Sequence, residues 1–118
     1  MKIEIETTAG MLELTSNAAT PFVAKKIFGV DMLNFLTTVK QEELGTNIER
    51  FEQIAFTMAM QSKMTTREAM NVSADALIDW LAMFDFDEMT DKIISKALDL
   101  WNMSSKSKSI PKNPAGSQ

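Results

Sequence analysis

The side chains best suited to chemistry gather in one acidic run. Between Arg67 and Lys92 stand seven carboxylates and no base: Glu68, Asp75, Asp79, Asp85, Asp87, Glu88 and Asp91. Calcium binding is the first chemistry such a run suggests. Asp85 and Asp87 open like an EF-hand loop, and Asp91 falls at its seventh position. The match fails where the geometry is strictest: Met89 holds the fifth position, Thr90 replaces the glycine of the sharp turn, and Lys96 replaces the bidentate glutamate. Glycoside hydrolysis by paired carboxylates is the second, and nothing in the spacing sets the separation such a pair requires. Helix electrostatics account for the cluster more simply. Asp85, Asp87 and Glu88 precede an apolar-periodic stretch, where the dipole of a helix start favours negative charge.

Composition removes most other chemistries. The 118 residues include no cysteine and no histidine. Disulfides, zinc ribbons and thiol nucleophiles are therefore excluded, together with the commonest general base. No glycine-rich phosphate loop and no GxSxG elbow occurs. Neither catalysis nor a cofactor nor a bound metal is expected. A net charge of −4 has the wrong sign for a broad grip on nucleic acid, and the two arginines, Arg50 and Arg67, lie in no basic helix. With 45% hydrophobic and 24% charged residues, the chain reads as one globular domain able to bury a core without staples. No apolar stretch has the length of a membrane span or the form of a signal peptide, so a cytoplasmic protein is expected.

Ten methionines suggest binding instead of chemistry. Unbranched thioether side chains repack easily, which suits adaptable surfaces as well as cores. Met58 lies on the main apolar stripe of its helix and reads as core. Met60 and Met64 lie partly off that stripe and are the better candidates for a contact surface. Trp80 sits inside a clean stripe. Trp101, at the end of the last helix beside Met103, either closes the core or anchors a partner. Met60, Met64, Trp101 and Met103 are the candidate partner-binding residues.

The elements that carry these residues follow from periodicity. Lys2–Glu6 and Met11–Thr15 alternate with period two around Thr7-Thr8-Ala9-Gly10, the pattern of a β-hairpin with Ile3, Ile5, Leu12 and Leu14 on one face. From Thr20 the period turns helical. Thr20-Pro21 reads as an N-cap and first-turn proline, Gly29 as a stop, and Asp31 as the cap of a second helix. After a polar break at Lys40–Gly45, Thr46-x-x-Glu49 reads as a capping box opening the longest helix, to about Lys63. Thr65-x-x-Glu68 is another box. Ser73 and Asp87 read as caps of two further helices, the first carrying Leu77, Trp80, Leu81 and Phe84.

The expected fold is α+β and mostly α. An N-terminal hairpin (2–15) packs on a bundle of about five helices (21–103) in one globular domain, 1–103. Residues 104–118 hold three lysines, no acid and a single large apolar residue, Ile110. They read as a flexible tail, too polar to offset its ordering entropy.

This order of elements resembles the tail assembly chaperones of long-tailed bacteriophages. It is a hairpin, then a Thr-Pro-led helix with Ala24-Lys25-Lys26-Ile27-Phe28-Gly29, then Asp31-Met32-Leu33-Asn34-Phe35-Leu36, a helical bundle and a polar tail. The resemblance covers residues 1–103 in architecture, and the family carries no invariant ligand or catalytic residue to match. It implies a homo-oligomer in the host cell cytoplasm that coats the tape measure protein, recruits tail tube protein and is absent from the mature virion. It also implies a longer form made by programmed frameshifting, for which Pro111-Lys112-Asn113 is compatible with a slippery codon run. A small phage-encoded helical regulator, DNA-binding or antirepressor-like, is the competing class.

Overall fold

The computed structural model describes residues 1–39 and 45–109. Residues 40–44 of the polar break and everything after Ser109, including Pro111-Lys112-Asn113, lie outside the described residues. The expected architecture holds: an antiparallel hairpin packs on a helical bundle.

Strand β1 (Lys2–Thr7) pairs with β2 (Gly10–Thr15), with Ile3 opposite Leu14 and Ile5 opposite Leu12. The alternation therefore sends these four side chains to one face, where Ile5 and Leu14 are fully covered. Thr8 and Ala9 form the two-residue turn. Gly10 leaves it at φ +109°, a backbone region costly for any residue with a Cβ.

Helix α1 (Thr20–Phe28) stops at Gly29, whose φ of +72° lets its N–H reach the Lys25 carbonyl at 2.8 Å. Helix α2 (Met32–Thr38) is capped as expected, the Asp31 carboxylate accepting from the Asn34 N–H. Helix α3 (Ile48–Lys63) is the axis of the molecule, and every residue from Ile54 to Gln61 is buried. Helix α4 (Thr66–Ala69) opens with the complete Thr65–Glu68 capping box, and α5 (Ala76–Leu81) follows. Then α6 (Phe86–Glu88), a π turn (Met89–Ile93) and α7 (Ile94–Ser109) run on as one rod. The wider π turn changes the helical phase locally, so the neighbours Ile93 and Ile94 are both buried.

Four expected caps shift. Thr20 is the first helical residue of α1, not its cap, because its hydroxyl is used inward. Fully buried, it accepts from the Asn17 N–H (3.0 Å) and donates to Gln61 Oε1 (2.6 Å). The box expected at Thr46–Glu49 is out of register, since α3 begins at Ile48 and its first backbone bonds close on the Asn47 carbonyl. Ser73 accepts from the Asp75 N–H in a turn ahead of α5, which ends before Phe84. Asp87 lies inside α6, whose cap position is Asp85.

Helix α7 continues past residue 103, through Ser109. Ser104 is buried there. Its hydroxyl donates to the Trp101 carbonyl and lies 2.9 Å from the hydroxyl of the fully buried Ser16. A hydroxyl that reads as tail composition is thus a core contact to a residue just past the hairpin.

The core draws buried residues from the hairpin, from α1 to α5, from the π turn and from α7. Phe56 of α3 meets Phe28 and Trp80 edge-on, at centroid distances of 5.8 and 5.6 Å, and Trp80 in turn meets Phe84. A second pair, Phe35–Phe51, joins α2 to α3 at 5.1 Å. Buried polar side chains are hydrogen-bonded, as burial demands, several of them to partners more than forty residues away. In particular, Gln61 Nε2 donates to Asn17 Oδ1 and so closes the loop through Thr20. Thr20→Val keeps the shape but strands the Gln61 carbonyl oxygen and the Asn17 N–H. A stability loss of about 1–3 kcal/mol is expected from urea unfolding. Adding Gln61→Leu should cost less than the two single losses combined, because the partners share one network.

The hairpin turn is clasped from outside. Glu88 accepts from the Thr8 N–H (2.9 Å) and hydroxyl (2.7 Å), and Lys92 Nζ donates to the Glu6 carbonyl. The Thr8 bonds hold the Glu88 carboxyl below its ordinary value of 4.5. The contact is therefore present above the ordinary value and lost as pH falls through the lowered one. The Thr8 amide proton resonance should titrate with a midpoint below 4.5, and Glu88→Gln should abolish that titration.

Candidate protein-binding surface

An apolar concavity lies between α2, the start of α3, and α7. Each wall has a local reason. Helix α2 is short and carries Met32, Leu33, Phe35 and Leu36 in close succession, more apolar residues than one face can bury. Met32 goes into the core and Phe35 packs on Phe51, while Leu33 and Leu36 turn toward the groove. On α7, Ile94, Leu98 and Trp101 recur at four- and three-residue spacing and form the facing wall. Phe51 lies at the floor. The space measures about 610 Å³, and no charged side chain lines it among the described residues. Leu33 stands 53% exposed at the lip. Five uncharged polar residues share the lining with seven apolar ones, and a concavity of this size and lining suits apolar groups.

The four candidate contact residues do not converge. Met60, expected on the surface, is 6% exposed. Because α3 is enclosed on nearly all sides, positions off its main stripe are buried as well. Met64 is half-buried at the C-terminal end of α3. That is about 20 Å along the helix from Phe51 at 1.5 Å per residue. Trp101 is half-buried in the groove wall. Met103 is 45% exposed on another side of α7, where it lines a shallower groove beside β1. Trp80 is core, as its stripe indicates.

Leu33, Leu36 and Leu98 belong to this surface, though each reads in the sequence as part of an ordinary core stripe. The usable signal was the excess of apolar residues on the short α2. Two members of the acidic run have structural contacts: Glu68 closes the α4 capping box and Glu88 holds the hairpin turn. No group of three or more metal-capable side chains converges among the described residues, and no helix there is long and apolar enough to cross a membrane. No protein-family model matches the chain, and no curated protein or solved structure shows significant similarity to it.

Proposed function

We propose that the groove between α2, α3 and α7 receives the apolar face of a helix from another polypeptide, and that the protein is a tail assembly chaperone. In this role it shields the tape measure protein of a long-tailed phage and recruits tail tube subunits, without catalysis. One observation carries the binding reading: a mainly apolar groove of about 610 Å³, with no charged side chain among the described residues that line it and Leu33 open at its lip. Two helical walls with apolar residues at three- and four-residue spacing suit an inserted helix anchored at i, i+3 or i+4, and i+7.

The order of hairpin, Thr-Pro-led helix, second helix and bundle supports the choice of family. A tape measure protein is long, helical and apolar on one face, and aggregates when bare. Many modest apolar contacts cover such a face yet still release it, and the −4 net charge favours solubility of the coated assembly.

The test is co-expression with successive segments of a long-tailed phage's tape measure protein, taken from the same genome as this chain where one is encoded there, followed by co-purification. At least one helical segment should become soluble only with this protein and elute with it. If every segment stays insoluble or elutes alone, the chaperone reading is wrong. A low-salt gel shift with the same material would show binding only if the protein is instead a DNA-binding regulator.

A further inference from the structure

The hairpin has an open edge whose location can be derived. Met1 and Ser16 exchange both backbone bonds, at 3.0 and 2.9 Å, so they form a hydrogen-bonded pair of the antiparallel ladder. Alternation then makes Ile3–Leu14, Ile5–Leu12 and Thr7–Gly10 the bonded pairs, and turns the N–H and C=O of Lys2, Glu4 and Glu6 outward. The Glu6 carbonyl is taken by Lys92 Nζ, which blunts that end of the edge. The outward backbone groups of Lys2 and Glu4 have no partner among the described residues. A shallow groove of about 550 Å³ runs beside them, between Ile3 and Glu4 on the strand and Lys96, Asp99 and Met103 on α7.

The charges on this strand are mismatched within one chain. Glu4 stands directly opposite Glu13, and like charges so placed repel. Lys2 reaches Glu13 at 3.7 Å, and no cation bridges Glu4 among the described residues.

We propose that β1 pairs antiparallel with β1 of a second copy, centred on Ile3, to make a continuous four-stranded sheet. In this register Lys2 faces Glu4 of the partner subunit and Glu4 faces Lys2 of the partner subunit. These are the hydrogen-bonded pairs, so the open N–H and C=O groups of both residues are satisfied. The incoming lysine also supplies the cation that Glu4 lacks. Ile3 meets its own copy on the axis, on the helix-facing side of the sheet. The outer edge of β2 offers Met11, Glu13 and Thr15, which in any twofold register give no opposite-charge pair. The β1 edge therefore fits a second copy and the β2 edge does not. This interface uses neither wall of the α2–α3–α7 groove; it gives a specific form to the homo-oligomer that the family resemblance implies, and its failure is distinguishable from failure of the groove, which segment binding tests separately.

Sedimentation of the full chain over a concentration series tests it. The wild type should self-associate to a dimer. Lys2→Glu and Glu4→Lys each put like charges at both pairs and should weaken self-association at least tenfold. An equimolar mixture of the two variants restores both opposite-charge pairs and should dimerise as a heterodimer. Glu4→Pro, whose lost N–H points outward, should block dimerisation while keeping the hairpin. If it fails to fold, cross-linking gives the same answer: Ile3→Cys should form a disulfide dimer on mild oxidation, because its copy lies across the axis in a non-hydrogen-bonded pair, and Glu13→Cys should not. A wild type that stays monomeric throughout the series overturns the proposal. So does a dimer unaffected by both charge variants, or equal cross-linking by Ile3→Cys and Glu13→Cys.

Discussion

Phe56→Ala is expected to destabilise the fold by about 3–5 kcal/mol, the largest effect of any single truncation in the core. Phe56 is 1% exposed on the central helix and touches rings from two other parts of the chain, Phe28 at the end of α1 and Trp80 on α5. Removing the ring loses its transfer free energy, leaves a cavity the surrounding helices only partly fill, and breaks two edge-on ring contacts together. Against a total stability of roughly 5–15 kcal/mol for a domain of this size, such a loss brings the chain near unfolding. Urea unfolding followed by circular dichroism should show the midpoint falling sharply. Phe22→Ala is the control, because Phe22 is 75% exposed and its truncation should change stability by less than about 0.5 kcal/mol. Equal small effects at both positions would mean that Phe56 is not the hub of the core.

The second large effect concerns binding. Leu33→Glu places a carboxylate at the groove lip, where the free protein leaves it hydrated and its fold unaffected. Under a docked apolar helix the same carboxylate loses its water without gaining a partner. Affinity for the tape measure segment should fall by about 2 kcal/mol or more, roughly thirtyfold, with the unfolding midpoint unchanged. Binding that survives Leu33→Glu intact would place the contact elsewhere on the molecule.

The fold was legible at the hairpin and at those helix boundaries that a local cap or stop decides. Strict alternation with Gly10 specified the hairpin, Asp31 and the Thr65–Glu68 box marked helix starts, and Gly29 marked a stop. Partners distant in sequence were not legible. Ser104 reads as tail because serine beside lysine looks solvated, and only the Ser16 hydroxyl at the far end of the domain makes it core. Thr20 reads as a cap because its use by Gln61 cannot be seen locally. Met60 reads as surface because a periodicity argument assumes a helix with a wet side, and α3 has almost none over residues 54–61. The groove was obscured for a related reason. Leu36, Leu98 and Trp101 carry the spacing of a packed stripe, and only the tertiary separation of α2 from α7 leaves them lining open space.

The central claim is that this groove takes an apolar helix, and Trp101 reports on it directly. Trp80 is the only other indole, so Trp80→Phe leaves Trp101 as the sole tryptophan, half-buried in the groove wall. Titrating that variant with a solubilised helical tape measure segment should move its emission to shorter wavelength and saturate, and Leu33→Glu should weaken the response. A segment that binds by calorimetry while leaving Trp101 emission unchanged would contradict the account.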